Sequence, residues 1–145
     1  MMQTILVVED DPLNCELFEK ILTKRGGLTV KKTEDVDEIL ALAGAKAVDL
    51  ILVDIALCHS FYEGKSIDGI QISKLLKSNP QTADLPVVLV TASASAYMST
   101  RDRKSLLKRS GADGYIAKPI TDHHQFLEQL HQCWATCQNH QVSNS

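Results

Sequence analysis

The sequence predicts a doubly wound α/β domain: a five-stranded parallel sheet with helices on both faces. Three observations predict it. Short apolar, β-branched runs alternate five times with longer stretches whose apolar residues recur at helical spacing. Two of the runs, LILV at Leu50 to Val53 and PVVLVT at Pro86 to Thr91, are almost continuously apolar, as suits strands covered on both faces. Charged and hydroxyl residues stand at the ends of successive runs, which a parallel sheet gathers along one edge.

Each element follows from local chemistry. Thr4 to Val8 (TILVV) reads as the first strand, and Leu13, Leu17, Phe18, Ile21 and Leu22 follow at helical spacing until Gly26 and Gly27 end that helix. Leu28 to Lys32 reads as the second strand. Val36, Ile39, Leu40 and Ala43 form the next apolar stripe, with Thr33 as the expected cap, Glu34 and Asp35 in the first turn, and Gly44 closing the helix. The third strand, Leu50 to Val53, ends at Asp54, and a polar loop is expected from Ile55 to about Ile67. Ile72, Leu75 and Leu76 lie on a third helix stopped by Asn79-Pro80. After the fourth strand come a loop of small residues (Ala92 to Ala96) and a basic helix near Ser99 to Ser110. Gly111 and Gly114 mark a turn, and Tyr115 to Ala117 form the fifth strand. Phe126, Leu130, Cys133, Trp134 and Cys137 line the last helix, and residues 139–145 are expected to fray as a polar tail.

The chain has 145 residues, 44% of them apolar, enough for one core without a disulfide or metal staple. A net charge of −3 provides no basic field for nucleic acid or anionic lipid. No apolar run approaches the ~18 residues of a membrane span. No basic leader precedes the first strand, so a cytoplasmic location is expected. Cys15, Cys58, Cys133 and Cys137 show no CxxC pairing. Cys133 and Cys137 share a helical face with His131 and His140 nearby, but small apolar side chains in a reducing compartment are the expected reading.

Function is read from the strand ends. Glu9, Asp10 and Asp11 follow the first strand, Asp54 ends the third, Thr91 ends the fourth, and Lys118-Pro119 follow the fifth. Singly, each has a plain structural explanation, as a solvated loop, a cap or a strand residue. Together they place several carboxylates, a hydroxyl and an ammonium at one sheet edge. Carboxylates held together repel, and a hard cation relieves the repulsion; Mg²⁺ prefers a few carboxylates with waters and phosphate oxygens. An aspartate carboxylate can attack phosphorus, and a lysine and a threonine can hold the remaining phosphoryl oxygens.

These residues resemble the receiver domain of two-component response regulators. ILVVEDD (Ile5 to Asp11), LILVD (Leu50 to Asp54), Asp68-Gly69, PVVLVTA (Pro86 to Ala92) and GADGYIAKP (Gly111 to Pro119) carry the resemblance, which covers about Gln3 to Gln138, and residues 1–138 are expected to form one receiver domain. It implies a flavodoxin-like fold with strand order 2-1-3-4-5. It also implies phosphotransfer from a sensor histidine kinase or a histidine phosphotransfer protein, and output through a downstream effector protein rather than nucleic acid or membrane. By position, Asp54 matches the phosphoacceptor and Glu9 and Asp10 the acidic pair. The Ala56 carbonyl matches the backbone Mg²⁺ ligand. Thr91 matches the switch hydroxyl, Lys118 the phosphate-contacting lysine, and Tyr115 the aromatic switch; the peptide bond before Pro119 matches one that is often cis. Such a domain is a signalling switch that catalyses its own phosphoryl transfer rather than an enzyme acting on external substrates.

Two departures stand out. The first acidic position is Glu9 where Asp is commoner, and Asp68 comes 14 positions after Asp54, about twice the usual spacing, without the usual Met-Pro. The extended loop carries Cys58, His59, Phe61 and Tyr62. A Mg²⁺-dependent phosphohydrolase with an aspartyl nucleophile is a second reading, but Ala56 stands where its general-acid aspartate belongs. A degenerate receiver would lack Asp54, Lys118 or the acidic pair, and all are present.

Overall fold

The computed structural model describes residues 2–57, 60–91, 100–118 and 120–143, with 100, 103 and 139–143 described at the backbone alone. Five strands form one parallel sheet: β1 (Thr4–Val8), β2 (Thr29–Lys32), β3 (Leu50–Asp54), β6 (Val87–Thr91) and β7 (Gly114–Ala117), in the order β2-β1-β3-β6-β7. A separate antiparallel hairpin, β4 (Phe61–Tyr62) and β5 (Lys65–Ser66), interrupts the numbering. Five α-helices follow the strands: α1 (Pro12–Lys20), α2 (Val36–Gly44), α3 (Gly69–Ser78), α4 (Thr100–Ser110) and α5 (His123–Ser143). The expected sheet order is the observed one once the hairpin is set aside.

Strand alternation divides the core in two. Leu6, Val8, Ile51, Val53, Val87 and Leu89 face α2, α3 and α4, packing with Ile39, Ile72, Leu76 and Leu106. Their neighbours Ile5, Val7, Leu50, Leu52, Val88 and Val90 face α1 and α5, packing with Phe18, Leu22, Phe126 and Leu130. The Phe18 and Phe126 rings stack with centroids 5.9 Å apart. Every residue of β3 and β6 is buried, which explains why these runs carry no polar alternation.

Several local expectations differ from the structure. A π-helical turn, Ile21–Arg25, continues α1 before Gly26 and the left-handed Gly27 end it. Leu13 and Leu17 are exposed, while Phe18, Ile21 and Leu22 reach the core. Asp35 caps α2, because its side chain accepts from the Asp37 N–H; Thr33 Oγ1 instead accepts from the Asp35 N–H at 3.0 Å. The helix runs through Gly44 and ends at Ala45. The Ile55–Ile67 segment, expected as a loop, contains the β4–β5 hairpin. The α5 backbone is helical as far as Ser143, into the polar stretch expected to fray. At the opposite edge of the sheet from the charged strand ends, Lys77 Nζ meets Asp113 Oδ2 at 2.7 Å and donates to the Leu85 carbonyl, while Asp113 accepts from the Val87 N–H. This ties α3 to the starts of β6 and β7.

The chain crosses from β2 to β3 around β1, so the strand order reverses between β1 and β3. Their C-terminal ends, carrying Glu9 and Asp54, flank that crevice.

Candidate functional site

The register of the sheet brings the singled-out residues together. Val8 pairs with Val53 and Asp54 with Val90, so Glu9 and Asp54 leave adjacent strands at the same level and Thr91 follows one residue further along the next. Thr91 pairs with Ala117, and the Lys118 N–H donates to the Thr91 carbonyl at 3.1 Å, which sets Lys118 on the same rim. Lys118 Nζ then reaches Asp54 Oδ2 at 2.6 Å and Glu9 Oε2 at 3.3 Å. The Ala56 N–H donates to Asp54 Oδ1 at 2.9 Å, so each carboxylate oxygen of Asp54 has its own donor and the group is held in one orientation. Glu9 Oε1 accepts from the Asp11 N–H, and Asp11 in turn caps α1 through the Leu13 N–H, with Pro12 starting the helix. The acidic triplet therefore has two duties: Asp11 starts a helix while Glu9 faces the crevice.

Glu9, Asp54 and Thr91 are buried and Asp10 is half-buried. Burial, then the hydrogen bond and negative charge of Asp54, push the Glu9 carboxyl up to about 7. Burial works against Asp54 ionisation too, but hydrogen bonds from Glu9, Lys118 and the Ala56 N–H outweigh it and hold Asp54 below its ordinary value. Burial disfavours charge on Lys118, yet the hydrogen bond and charge of Asp54, followed by Glu9, raise it above the ordinary lysine value. The site thus pairs an Asp54 carboxylate with a Lys118 ammonium, while Glu9 takes up its proton as the pH falls below about 7.

This assignment fixes a pH dependence. Glu9 binds its proton more tightly folded, about 7, than at its ordinary 4.5, so its contribution to stability is full below 4.5 and is lost as pH rises through 7. Without metal, the melting temperature should fall across that window, and Glu9→Gln should flatten the fall. A Glu9→Gln profile parallel to the parent between those pH values would contradict a shared proton.

The oxygen donors of Glu9, Asp10, Asp54 and the Ala56 carbonyl suit a hard dication. Among the described residues no three metal-ligating side chains stand preassembled, and the Lys118 ammonium already bridges two of them. The donor set favours a fit: the buried carboxylates of Glu9 and Asp54 and the half-buried Asp10 stand at one rim, and an added dication would offset the burial that raises the Glu9 carboxyl. Beside the crevice, an open groove of about 510 Å³ is lined by Asp10, Glu16, Glu19 and Glu34, with Lys32 the one base among its lining residues.

Tyr115 sits half-buried on β7, paired with Leu89, and borders a second groove of about 580 Å³ between α4 and α5. Cys133 and Cys137 line that groove as free thiols; burial pushes both up, Cys137 to about 12. The sequence did not single out Gly69 for its geometry: a Cβ there would overlap the Asp54 carbonyl oxygen. Asp68-Gly69, quoted only as a motif, was the available signal. The small-residue loop after Thr91, Cys58 and His59, and the bond to Pro119 lie outside the described residues.

Comparisons with known proteins agree on one family. The model of the response regulator receiver domain matches residues 5–131. The polar-differentiation response regulator DivK of Brucella anthropi is 32% identical over 121 residues, covering 83% of this chain and 88% of that protein. The receiver domain of a sensor histidine kinase from Pseudomonas aeruginosa PAO1, whose crystal structure has a magnesium ion coordinated in the active-site cleft, matches with a TM-score of 0.72 at 25% identity, over 93% of this chain and 99% of that one. A CheY-like receiver domain protein from Methanospirillum hungatei JF-1 shares the fold, with a TM-score of 0.72 at 22% identity over 97% of this chain and 99% of that one. With the matching sheet order and the convergent strand ends, the chain belongs to the response regulator receiver domain family, the phospho-accepting switches of two-component signalling.

Proposed function

We propose that Asp54 is the phosphoacceptor of this receiver and that Glu9, Asp10, Asp54 and the Ala56 carbonyl hold the Mg²⁺ its reaction needs. The single observation that carries the reading is the Lys118 ammonium 2.6 Å from an Asp54 carboxylate that the Ala56 N–H already orients. Asp54 Oδ attacks the phosphorus of a phosphohistidine or a small phosphodonor; the bond to the donor breaks, and the donor keeps the electron pair. Bound Mg²⁺ supplies charge neutralisation at the phosphoryl oxygens. Lys118 follows its charge partner, moving from a carboxylate oxygen to a phosphoryl oxygen, and the Thr91 hydroxyl meets another. Asp54 keeps a low affinity for protons, so it is ionised and nucleophilic at neutral pH.

The downstream step is a two-state change. Thr91 turns toward the phosphoryl group, and Tyr115 moves in the space beside the groove it borders, reshaping the face of β7, α4 and α5. That face carries exposed Arg101, Lys104, Lys108 and Arg109 on α4, which suits an acidic effector protein. The phosphodonor is a sensor histidine kinase or histidine phosphotransfer protein in the cytoplasm; no helix among the described residues is long and apolar enough to cross a membrane.

The test is intact-mass measurement after incubation with acetyl phosphate and Mg²⁺. The parent should gain one phosphoryl mass and Asp54→Asn none. Labelling that persists in Asp54→Asn would place the acceptor elsewhere.

A further inference from the structure

The hairpin inserted after Asp54 displays an aromatic side chain to solvent: Phe61 is 62% exposed. The hairpin is rooted at the phosphoacceptor. The Gly69 N–H donates to the Ile55 carbonyl at 3.1 Å, closing the segment beside Asp54, and the Ile67 N–H donates to the Ser60 carbonyl at 3.0 Å, closing its inner ring. Ser60 Oγ donates to the Glu34 carbonyl at 2.7 Å and pins the base to the turn before α2. Tyr62 faces inward against the core, so strand alternation turns Phe61 outward. Glu63 and Gly64, with φ of 53° and 80°, form a two-residue turn whose twist suits paired strands. The ring is therefore held on a braced backbone, as interface anchors are.

Its position selects its occupant. Passing from Asp54 across its contact with Gly69, back two residues to Ile67 and through the Ile67–Ser60 bond, Phe61 lies no more than about 22 Å from Asp54. Asp54 is only 5% exposed, so a protein that delivers a phosphoryl group must press its histidine into the crevice mouth. An interface of standard size, about 800 Å² on each side, reaches roughly 16 Å from its centre, and a phenyl ring spans the remainder. The hairpin packs on α2, on the far side of β3 from β7 and its groove, so a partner that reads Tyr115 and α4 approaches from elsewhere. The groove acids Glu16 and Glu34 add charge complementarity: the fitting donor surface is apolar near its histidine and basic beside it.

We propose that Phe61 is a docking anchor for the phosphohistidine-bearing donor protein, and that the hairpin over residues 60–67 sets which donor reaches Asp54. This rests on Asp54 as the phosphoacceptor. To test it, the purified histidine kinases and histidine phosphotransfer proteins of the source organism are phosphorylated from radiolabelled ATP and each is mixed with the full chain. The fastest donor is then compared on the parent, Phe61→Ala and Phe61→Leu, with acetyl phosphate in parallel. Phe61→Ala should lower kcat/KM from that donor about tenfold or more, chiefly through KM, Phe61→Leu should restore most of it, and acetyl phosphate labelling should stay within about twofold throughout. Unchanged transfer to Phe61→Ala overturns the proposal. So does an equal loss with acetyl phosphate, which marks a structural role. A parent chain labelled by acetyl phosphate but by no donor also overturns it, whereas a parent labelled by neither sinks the Asp54 assignment itself.

Discussion

Replacing Lys118 with Ala should lower acetyl phosphate labelling of Asp54 on the order of 100-fold, the usual cost of removing one aimed charge from a developing transition state. It should also destabilise the metal-free protein by about 3 kcal/mol well above pH 7. The physical reason is the pair it leaves behind. Lys118 touches both Asp54 and Glu9, and both carboxyls are buried. Without the Lys118 charge to draw it down, Glu9 holds its proton more tightly in the variant, so both carboxyls are ionised only well above pH 7, with no cation between them. Near pH 5 Glu9 keeps its proton and can donate to Asp54, so the destabilisation should shrink. Lys118→Arg should recover part of the stability but little of the labelling, because a planar fork cannot occupy the place of a compact ammonium 2.6 Å from a carboxylate oxygen. Thermal melts of the three proteins at pH 5 and pH 8, beside labelling time courses, check both halves. A Lys118→Ala protein as stable as the parent at pH 8 would mean that the two carboxyls find compensation elsewhere.

The strand ends were legible in the sequence because parallel topology leaves little choice. Once five apolar runs are joined by helices, Glu9, Asp54, Thr91 and Lys118 must share an edge, and pairing of Val8 with Val53, Asp54 with Val90 and Thr91 with Ala117 brings them within a residue or two of one level. What remained hidden depends on angles and on contacts distant in sequence. Leu13 and Leu17 fit an apolar stripe by spacing alone. At about 100° per residue, Leu13 points roughly 130° away from the centre of the arc formed by Phe18, Ile21 and Leu22, and it is 77% exposed. The hairpin escaped notice because its strands are two residues long, and its turn uses Glu63-Gly64 where the readable signal is Asn-Gly or Asp-Gly. The shift of the α2 cap from Thr33 to Asp35 turns on which oxygen reaches the Asp37 N–H, a difference of two positions between two good capping residues. The upward shift of the Glu9 carboxyl could not be read at all, since it requires the burial of two carboxyls 45 positions apart.

Gly69→Ala should be among the most damaging single substitutions in the chain, although it adds only one uncharged methyl group. Gly69 opens α3 directly after its cap Asp68, whose side chain and backbone form a reciprocal pair of hydrogen bonds with Gln71. That capping box fixes the angle at which the helix enters, and the angle lays Gly69 against the end of β3. A Cβ there would overlap the Asp54 carbonyl oxygen and come within 2.8 Å of the Asp54 carbonyl carbon and the Ile55 Cα. All three are backbone atoms, so no side-chain rotation can relieve the clash. The Asp54 peptide is held in turn: the Ile55 N–H donates to the Val90 carbonyl at 3.0 Å, and the Gly69 N–H donates to the Ile55 carbonyl. Either α3 withdraws and uncovers Ile72 and Leu76, or the Asp54 peptide turns and carries its carboxylate away from Lys118 and the Ala56 N–H. Overpacking against backbone costs about 3 kcal/mol, a fall in melting temperature of about 10 °C for a domain of this size. Labelling by acetyl phosphate should fall at least as steeply, because a carboxylate turned from its donors is no longer aligned for attack. The two outcomes separate in one experiment at a temperature where the variant is folded by circular dichroism. If folded Gly69→Ala accepts the phosphoryl group at the parent rate, the helix has moved and the phosphoacceptor has not. If it melts with the parent and labels normally, the close approach of α3 to Asp54 is not a feature of the protein in solution.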